Sequence, residues 1–312
     1  MPDILWPIKW LIELILSTFH TVFTALGLQS SWGLTWVLSI VCLVLVVRTA
    51  LIPIFVRQIK SQRNMMLVQP ELAKLQKKYK GKTDRESREK FAQEQMALYK
   101  RTGSNPLSSC LPMLMQMPIF FSLFSVLQAA SQGHKGVGLM SIELANSFKE
   151  SSFLGAPLKH SLSTADGNVA VFVLGITMIV AMTASQFITQ KQIMAKNQNA
   201  ATQTSQYMQT QKIMLYAFPL IFAVSGIAFP LGLMFYWLTS NFWTMGQQYF
   251  VIRRMPTPGS KAFEERQTRL AKKGKLTEVI EELESEAETI DIVRENSQRA
   301  QPVSKKRNKK RK

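Results

Sequence analysis

Residues 213–252 read IMLYAFPLIFAVSGIAFPLGLMFYWLTSNFWTMGQQYFVI and contain no Lys, Arg, Asp or Glu. The run is about twice the ~20 residues a helix needs to cross a bilayer core. Pro230 and Gly232 interrupt it near the middle. Two membrane-spanning helices joined by a tight turn, over residues 213–228 and 231–252, account for both facts. Working outward, further charge-free runs cover residues 102–134 and 167–190, and residues 32–56 are apolar apart from Arg48. Hydrophobic residues make up 46% of the 312-residue chain, an ordinary average that hides this segregation. The sequence therefore predicts an all-α polytopic membrane protein with five spans: 32–56, 107–130, 169–188, 213–228 and 231–252.

The net charge of +18 (38 basic against 20 acidic residues) is distributed on one side of those spans. Residues 57–101 hold 13 basic and 5 acidic residues, 189–212 hold Lys191, Lys196 and Lys212 with no acid, and 253–312 hold 17 basic and 10 acidic. The loop 131–168 has three of each. The excess of Lys and Arg marks the cytoplasmic side. Five spans then put the N-terminus outside and the C-terminus inside a cell membrane.

Residues 1–31 follow a different pattern. Lys9, Glu13, Ser17, His20 and Thr24 recur on one helical face, and Ile8, Ile12, Ile15, Phe19, Val22 and Leu26 on the other. This predicts an amphipathic helix lying in the outer interface, anchored by Trp6 and Trp10. A sixth span is the competing reading. Cytoplasmic residues 57–101 predict a helical hairpin. Its first arm runs to about Tyr79 with a bend or restart at Pro70, its turn is Lys80-Gly81-Lys82, and Thr83 with Glu86 forms a capping box for the second arm. Leu67, Leu72, Leu75, Tyr79, Phe91 and Leu98 supply only a thin apolar seam. In the tail, Met255-Pro256-Thr257-Pro258-Gly259 reads as a linker and 278–291 as a short acidic helix. The end carries Lys305, Lys306, Arg307, Lys309, Lys310, Arg311 and Lys312, a run that binds polyanions such as ribosomal RNA or anionic lipid.

Arg48 is the most informative residue. It lies about eight residues inside the cytoplasmic end of the first expected span. An Arg facing lipid there costs at least ~2.5–3.5 kcal/mol, so it is expected to face protein or a watery recess. No acidic residue lies in the five spans to pair with it. Gln116, Gln186, Ser240, Asn241 and Gln247 are the polar groups available to line such a recess, and Pro53, Pro112 and Pro118 introduce kinks and free carbonyls. No metal or cofactor site is expected. Cys42 and Cys110 are the only cysteines, His20, His134 and His160 are far apart, and Gln76 stands where a phosphate-binding loop before Gly81-Lys82-Thr83 requires Gly.

Several uncommon runs occur in one order: Val47-Arg48 with Pro53, Gln69-Pro70-Glu71-Leu72, Met96-Ala97-Leu98-Tyr99-Lys100, Asn105-Pro106-Leu107, Cys110-Leu111-Pro112, Gln116-Met117-Pro118-Ile119-Phe120, and Phe229-Pro230-Leu231-Gly232-Leu233 leading to Tyr236-Trp237 and Ser240-Asn241. Over residues 5–253 the chain resembles the YidC-type membrane protein insertases. The resemblance implies a five-helix core whose groove opens to the cytoplasm and to lipid but is closed outside. It places Arg48, Gln116 and Trp237 in the groove, beside Tyr236, Gln186 and Asn241, and equates residues 57–101 with the family's cytoplasmic hairpin. The chain is similar to a lean form without a large extracytoplasmic domain, and no Cys precedes Cys42 to start a lipoprotein. The implied function is insertion of nascent membrane proteins into the lipid bilayer, without enzymatic chemistry. The ribosome and the Sec translocon are the implied partners. An anion transporter using Arg48 is the alternative, and five spans without a visible repeat speak against it.

Overall fold

The computed structural model describes residues 3–101, 111–196, 206–257, 260–274 and 277. Ten α-helices account for most of them: α1 Trp6–Ala25, α2 Gly33–Ala50, α3 Ile52–Tyr79, α4 Arg85–Arg101, α5 Leu111–Ser131, α6 Ile142–Glu150, α7 Val169–Lys196, α8 Gln206–Gly226, α9 Leu231–Arg254 and α10 Lys261–Lys272. A two-stranded hairpin, β1 Ser152–Phe153 and β2 Ala156–Pro157, follows α6.

Helix α9 is the axis of the bundle. It packs on α7 along one side and α2 along another, while α8 lies principally against α7 and α5 leans on α1, α6 and α9. The core runs through Trp36, Ile40 and Leu43 of α2, Leu123 and Leu127 of α5, Val171 and Met178 of α7, and Leu231, Leu233 and Met234 of α9. By length and composition, Trp6–Ala25, Gly33–Ala50, Leu114–Ser131 and Val169–Lys196 are apolar enough to cross a membrane. The expected spans 213–228 and 231–252 fall on α8 and α9. In α8 the apolar stretch Leu215–Gly226 is short. In α9, Thr239, Ser240, Asn241, Thr244, Gln247 and Gln248 dilute the apolar residues.

The first expected span, 32–56, is two helices. α2 ends at Ala50, and α3 begins at Ile52 with Pro53 in its first turn, where a missing N–H costs nothing. α3 then runs through residue 70 without a restart there, and the helix boundary lies at Leu51. The hairpin turn is where the sequence puts it, with Gly81 at φ +84. The cap of α4 is not Thr83. Asp84 accepts from the backbone N–H of Ser87 at 2.8 Å, one residue later than the expected box. The arms meet through Val68, Leu72, Leu98 and Tyr99, with Tyr79 edge-on to Phe91 at 5.7 Å.

At the opposite end, residues 131–168 form a built cap rather than a loose loop. Ser141 caps α6, accepting from Leu144 N–H at 3.1 Å. The carbonyls of His160 and Leu158 accept from the first N–H groups of α9, Leu231 at 2.8 Å and Gly232 at 2.9 Å. These are donors that the helix itself leaves without partners.

Helix α1 lies over this cap and turns its polar face to the protein. Glu13, Ser17 and His20 are buried with Ile12 and Leu16, whereas Trp6, Trp10, Leu11 and Val22 face outward. The Glu13 carboxylate, 1% exposed, accepts from the backbone N–H groups of Val137 (3.0 Å), Gly138 (2.6 Å) and Met140 (3.4 Å). Gly136 has no room for a Cβ against that carboxylate, and Gly138 lies against Trp10. Periodicity distinguishes two faces; here the polar one meets the protein because backbone donors await it.

Candidate functional site

Arg48 stands in the last turn of α2, because that helix ends at Ala50 and not at residue 56. The guanidinium reaches across to α9 and donates from Nη2 to Ser240 Oγ. Its other neighbour is the ring of Phe55, 5.6 Å from Cζ. Among the described residues no carboxylate forms an ion pair with it. Among the described residues one hydroxyl takes one of its five guanidinium donors, and the side chain is partly exposed.

One turn earlier on α9, Tyr236 is 3% exposed and accepts at its hydroxyl from Gln116 Nε2 of α5 at 2.6 Å. Residues 236 and 240 share a face of the helix. Gln116, Tyr236, Ser240 and Arg48 thus form a polar seam through three apolar helices. Beside it, Trp237 stacks on Phe120 with centroids 5.1 Å apart and meets Phe229 edge-on at 4.8 Å. The expected groove residue Trp237 is therefore part of an aromatic wall completed by Phe124. Pro118 lies inside α5, two residues from Gln116, and removes an N–H from the ladder there.

The other expected lining residues are elsewhere. Gln186 and Asn241 belong to a separate cavity of about 330 Å³ between α7, α8 and α9. Gln247 accepts from Trp243 Nε1 at 3.2 Å along α9. Pro53 is an exposed helix starter, and Pro112 falls in the first turn of α5. The tail residues 305–312, the expected acidic helix 278–291 and Cys110 lie outside the described residues. Pro219, inside α8, is a site residue that the sequence reading passed over, although a Pro in an apolar run was its signal. Helix α10 was also missed. Ser260 caps it, Ala262 and Phe263 bury one side, and Lys196 of α7 pairs with its Glu265 at 3.3 Å.

A bundle of apolar helices with a cation and amide groups enclosed between them defines a polytopic membrane protein. The chain belongs to the family described as 60Kd inner membrane protein, which it matches over residues 27–258. A Streptomyces avermitilis protein named Membrane protein insertase YidC is 45% identical over 264 residues, spanning 82% of this chain and 59% of that one. Proteins of the same name from Tropheryma whipplei (40% identical over 321 residues, 100% and 97% covered) and Bifidobacterium longum (34% over 323 residues, 98% and 95% covered) match nearly end to end. The chain is a multi-pass protein of the bacterial membrane.

Proposed function

We propose that this protein is a membrane protein insertase: it receives nascent membrane proteins from the cytoplasm and releases their apolar segments into the bilayer. One observation carries the site assignment. Arg48 is held among apolar helices by a hydroxyl and an aromatic ring, next to the Gln116–Tyr236 pair, with no carboxylate paired to it among the described residues. The names of its relatives support the activity.

In this reading α2, α5, α7, α8 and α9 cross the membrane and α1 lies along its outer face. The contacts of α1 support that placement, since Trp10, Glu13 and His20 meet residues 136–140 and the start of α2. The basic hairpin and tail then face the cytoplasm. They draw in the ribosome, whose RNA is a polyanion. The Sec translocon is a further partner of this arrangement. A polar segment of the substrate enters the recess beside Arg48, which offers its charge to an acidic residue. The apolar segment partitions into lipid, a transfer worth about 25 cal/mol per Å² of apolar surface. The membrane potential adds about 2.3 kcal/mol per charge per 100 mV. No step requires covalent chemistry. The anion-transporter alternative finds no support among the relatives.

The test is accessibility coupled to activity. Arg48→Cys, in a background lacking Cys42 and Cys110, reacts with a membrane-impermeant thiol reagent added from the cytoplasmic side. A stalled nascent chain bound beforehand protects it. Labelling that is absent while a hairpin control reacts removes the recess from the mechanism.

A further inference from the structure

We propose that the cavity between α1 and the start of α6, at the end of the bundle opposite the hairpin, holds the neutral polyhydroxyl headgroup of a lipid, a sugar in the simplest case. The proposal rests on the placement of α1 along the outer face of the membrane. The space measures about 620 Å³, within the ~300–1,000 Å³ of known ligand sites. Ser17 lines it from α1. That residue is 5% exposed, and its Oγ is buried with no hydrogen-bond partner among the described residues. A buried hydroxyl left in this state costs stability until something meets it.

Acceptors surround that hydroxyl. Thr18 donates to the Leu14 carbonyl at 2.6 Å, Thr21 to that of Ser17 at 2.8 Å, and Thr24 to that of His20 at 3.1 Å. Each donation uses the only hydroxyl proton and leaves the oxygen lone pairs for a ligand's donors. From α6 comes the carboxylate of Glu143, which has no ion-pair partner among the described residues. His20 sets Nε2 at 3.0 Å from the Ser30 carbonyl, so that nitrogen carries a proton already spent on the protein.

The lining selects the occupant. No Lys or Arg belongs to it and one carboxylate does, so a phosphate headgroup meets repulsion without a counter-charge. A metal ion finds a single carboxylate, and the described residues hold no cluster of metal-ligating side chains. An acyl chain would leave Ser17 unsatisfied. Sugar hydroxyls suit the set: they donate to the threonine oxygens and to Glu143, and accept from Ser17. Val22 and Leu139, 45% and 52% exposed, edge the same cavity. Polar lining beside an apolar edge matches a headgroup with its chains attached, whereas a free sugar gains nothing from the edge.

The experiment uses the full-length protein in phosphatidylcholine vesicles. These contain equal minor amounts of a glucosyl diacylglycerol and of phosphatidylethanolamine with the same acyl chains. A photo-crosslinking residue at Leu139 samples the cavity's edge, and mass spectrometry identifies the lipid adducts. Adducts of the glucosyl lipid are expected about fivefold above its share of the bilayer, the scale of one net hydrogen bond. Ser17→Ala returns them to that share. Removing a buried hydroxyl that has no partner leaves folding intact, so thermal unfolding without the glucosyl lipid stays at the wild-type value. Thr21→Val, nearly the same shape, also lowers the yield. Excess methyl glucoside in the medium changes it by less than about twofold.

Complete displacement by methyl glucoside would assign the cavity to a free sugar and overturn the lipid assignment. Adducts in proportion to bilayer composition, a preference for the ethanolamine lipid, or enrichment that survives Ser17→Ala each overturn the site itself. They leave the insertase reading standing, because insertion enters none of these readouts. Adducts to no lipid at all would remove the proposal together with the placement of α1 in the interface.

Discussion

The two ends of the bundle treat polar groups in opposite ways. At the α1 end a buried carboxylate, Glu13, meets three backbone N–H groups, and α9 begins on carbonyls supplied by His160 and Leu158. At the hairpin end, among the described residues, Arg48 meets one hydroxyl and one ring, and Asn241 keeps an amide nitrogen without a partner. Burying a satisfied group fixes structure; burying a half-satisfied one costs stability and leaves affinity for something else. The Glu13 carboxylate is held and Arg48 is left able to bind, although at the first end Ser17 Oγ is also buried without a partner among the described residues and a cavity of about 620 Å³ lies beside α1. Under the proposed function, with substrates arriving from the hairpin side, the difference between the two groups favours one direction of entry.

The strongest way to break the comparison is to remove the receiving arm. Deleting residues 62–95 takes away most of the hairpin but touches neither the cap nor the Arg48–Ser240 contact. Insertion in reconstituted vesicles is expected to be lost, while the remaining bundle keeps its helical circular dichroism and detergent melting. Wild-type insertion by the deletion would reduce the hairpin to a topology signal.

Next in size is the cap. Glu13→Ala leaves three N–H groups, one buried and two part-buried, without their acceptor, and costs about 3 kcal/mol on the scale of hydrogen bonds to a charged group. Glu13→Gln keeps an acceptor and loses about half as much. Thermal unfolding in detergent reads both. A cost below ~1 kcal/mol for the alanine variant would mean water or a neighbour replaces the carboxylate. Arg48→Ala is expected to do the converse. Stability changes by less than ~1 kcal/mol because a costly half-satisfied cation is removed. Insertion of acidic-tailed substrates falls about tenfold, equivalent to ~1.4 kcal/mol. Arg48→Lys retains part of the activity, since a point charge remains. Equal effects of Glu13→Ala and Arg48→Ala on both readouts would erase the distinction between the two ends.

What the sequence made legible follows from which signals are local. Charge-free runs announced the apolar helices, Gly81 announced the hairpin turn, and Pro230 with Gly232 announced the α8–α9 connection. Pro53 also announced a helix start, but was read as a kink within one long span. Helices α6 and α10 each carry a serine cap, Ser141 and Ser260, that is equally local. They were passed over because a loop and a linker were expected there. Other features had no local signal. The seating of the polar face of α1 depends on what residues 136–140 present to Glu13, more than 120 positions away. Arg48 and Ser240 meet across 192 positions. Periodicity assigns such residues to faces, and only packing assigns the faces to neighbours.

The smallest effect tests how weakly the hairpin is held. Lys78 donates to both carboxylate oxygens of Glu94 at 2.7 Å, and the Tyr79 hydroxyl donates to one of them at 2.9 Å. The Lys78 hydrogen bond, ahead of the Tyr79 one, holds the Glu94 carboxyl below its usual range, and the same bond pushes the Lys78 ammonium up. A carboxylate with a depressed pKa contributes stability that is present above its unfolded value and lost as pH falls through the folded one. The raised lysine contributes below its ordinary value, and that contribution disappears as pH rises through the folded one. Between those limits the arms are clamped, though both groups face solvent and salt screens them. Spin labels on Leu75 and Ala97 report the separation of the arms. It is expected to widen slightly below the ordinary carboxylate range, and to do so at higher pH when salt is raised. Glu94→Gln removes that acid dependence and leaves the arms at their low-pH separation throughout. If the variant still widens on acidification, another carboxylate closes the hairpin, and the receiving end is held more firmly than its thin core implies.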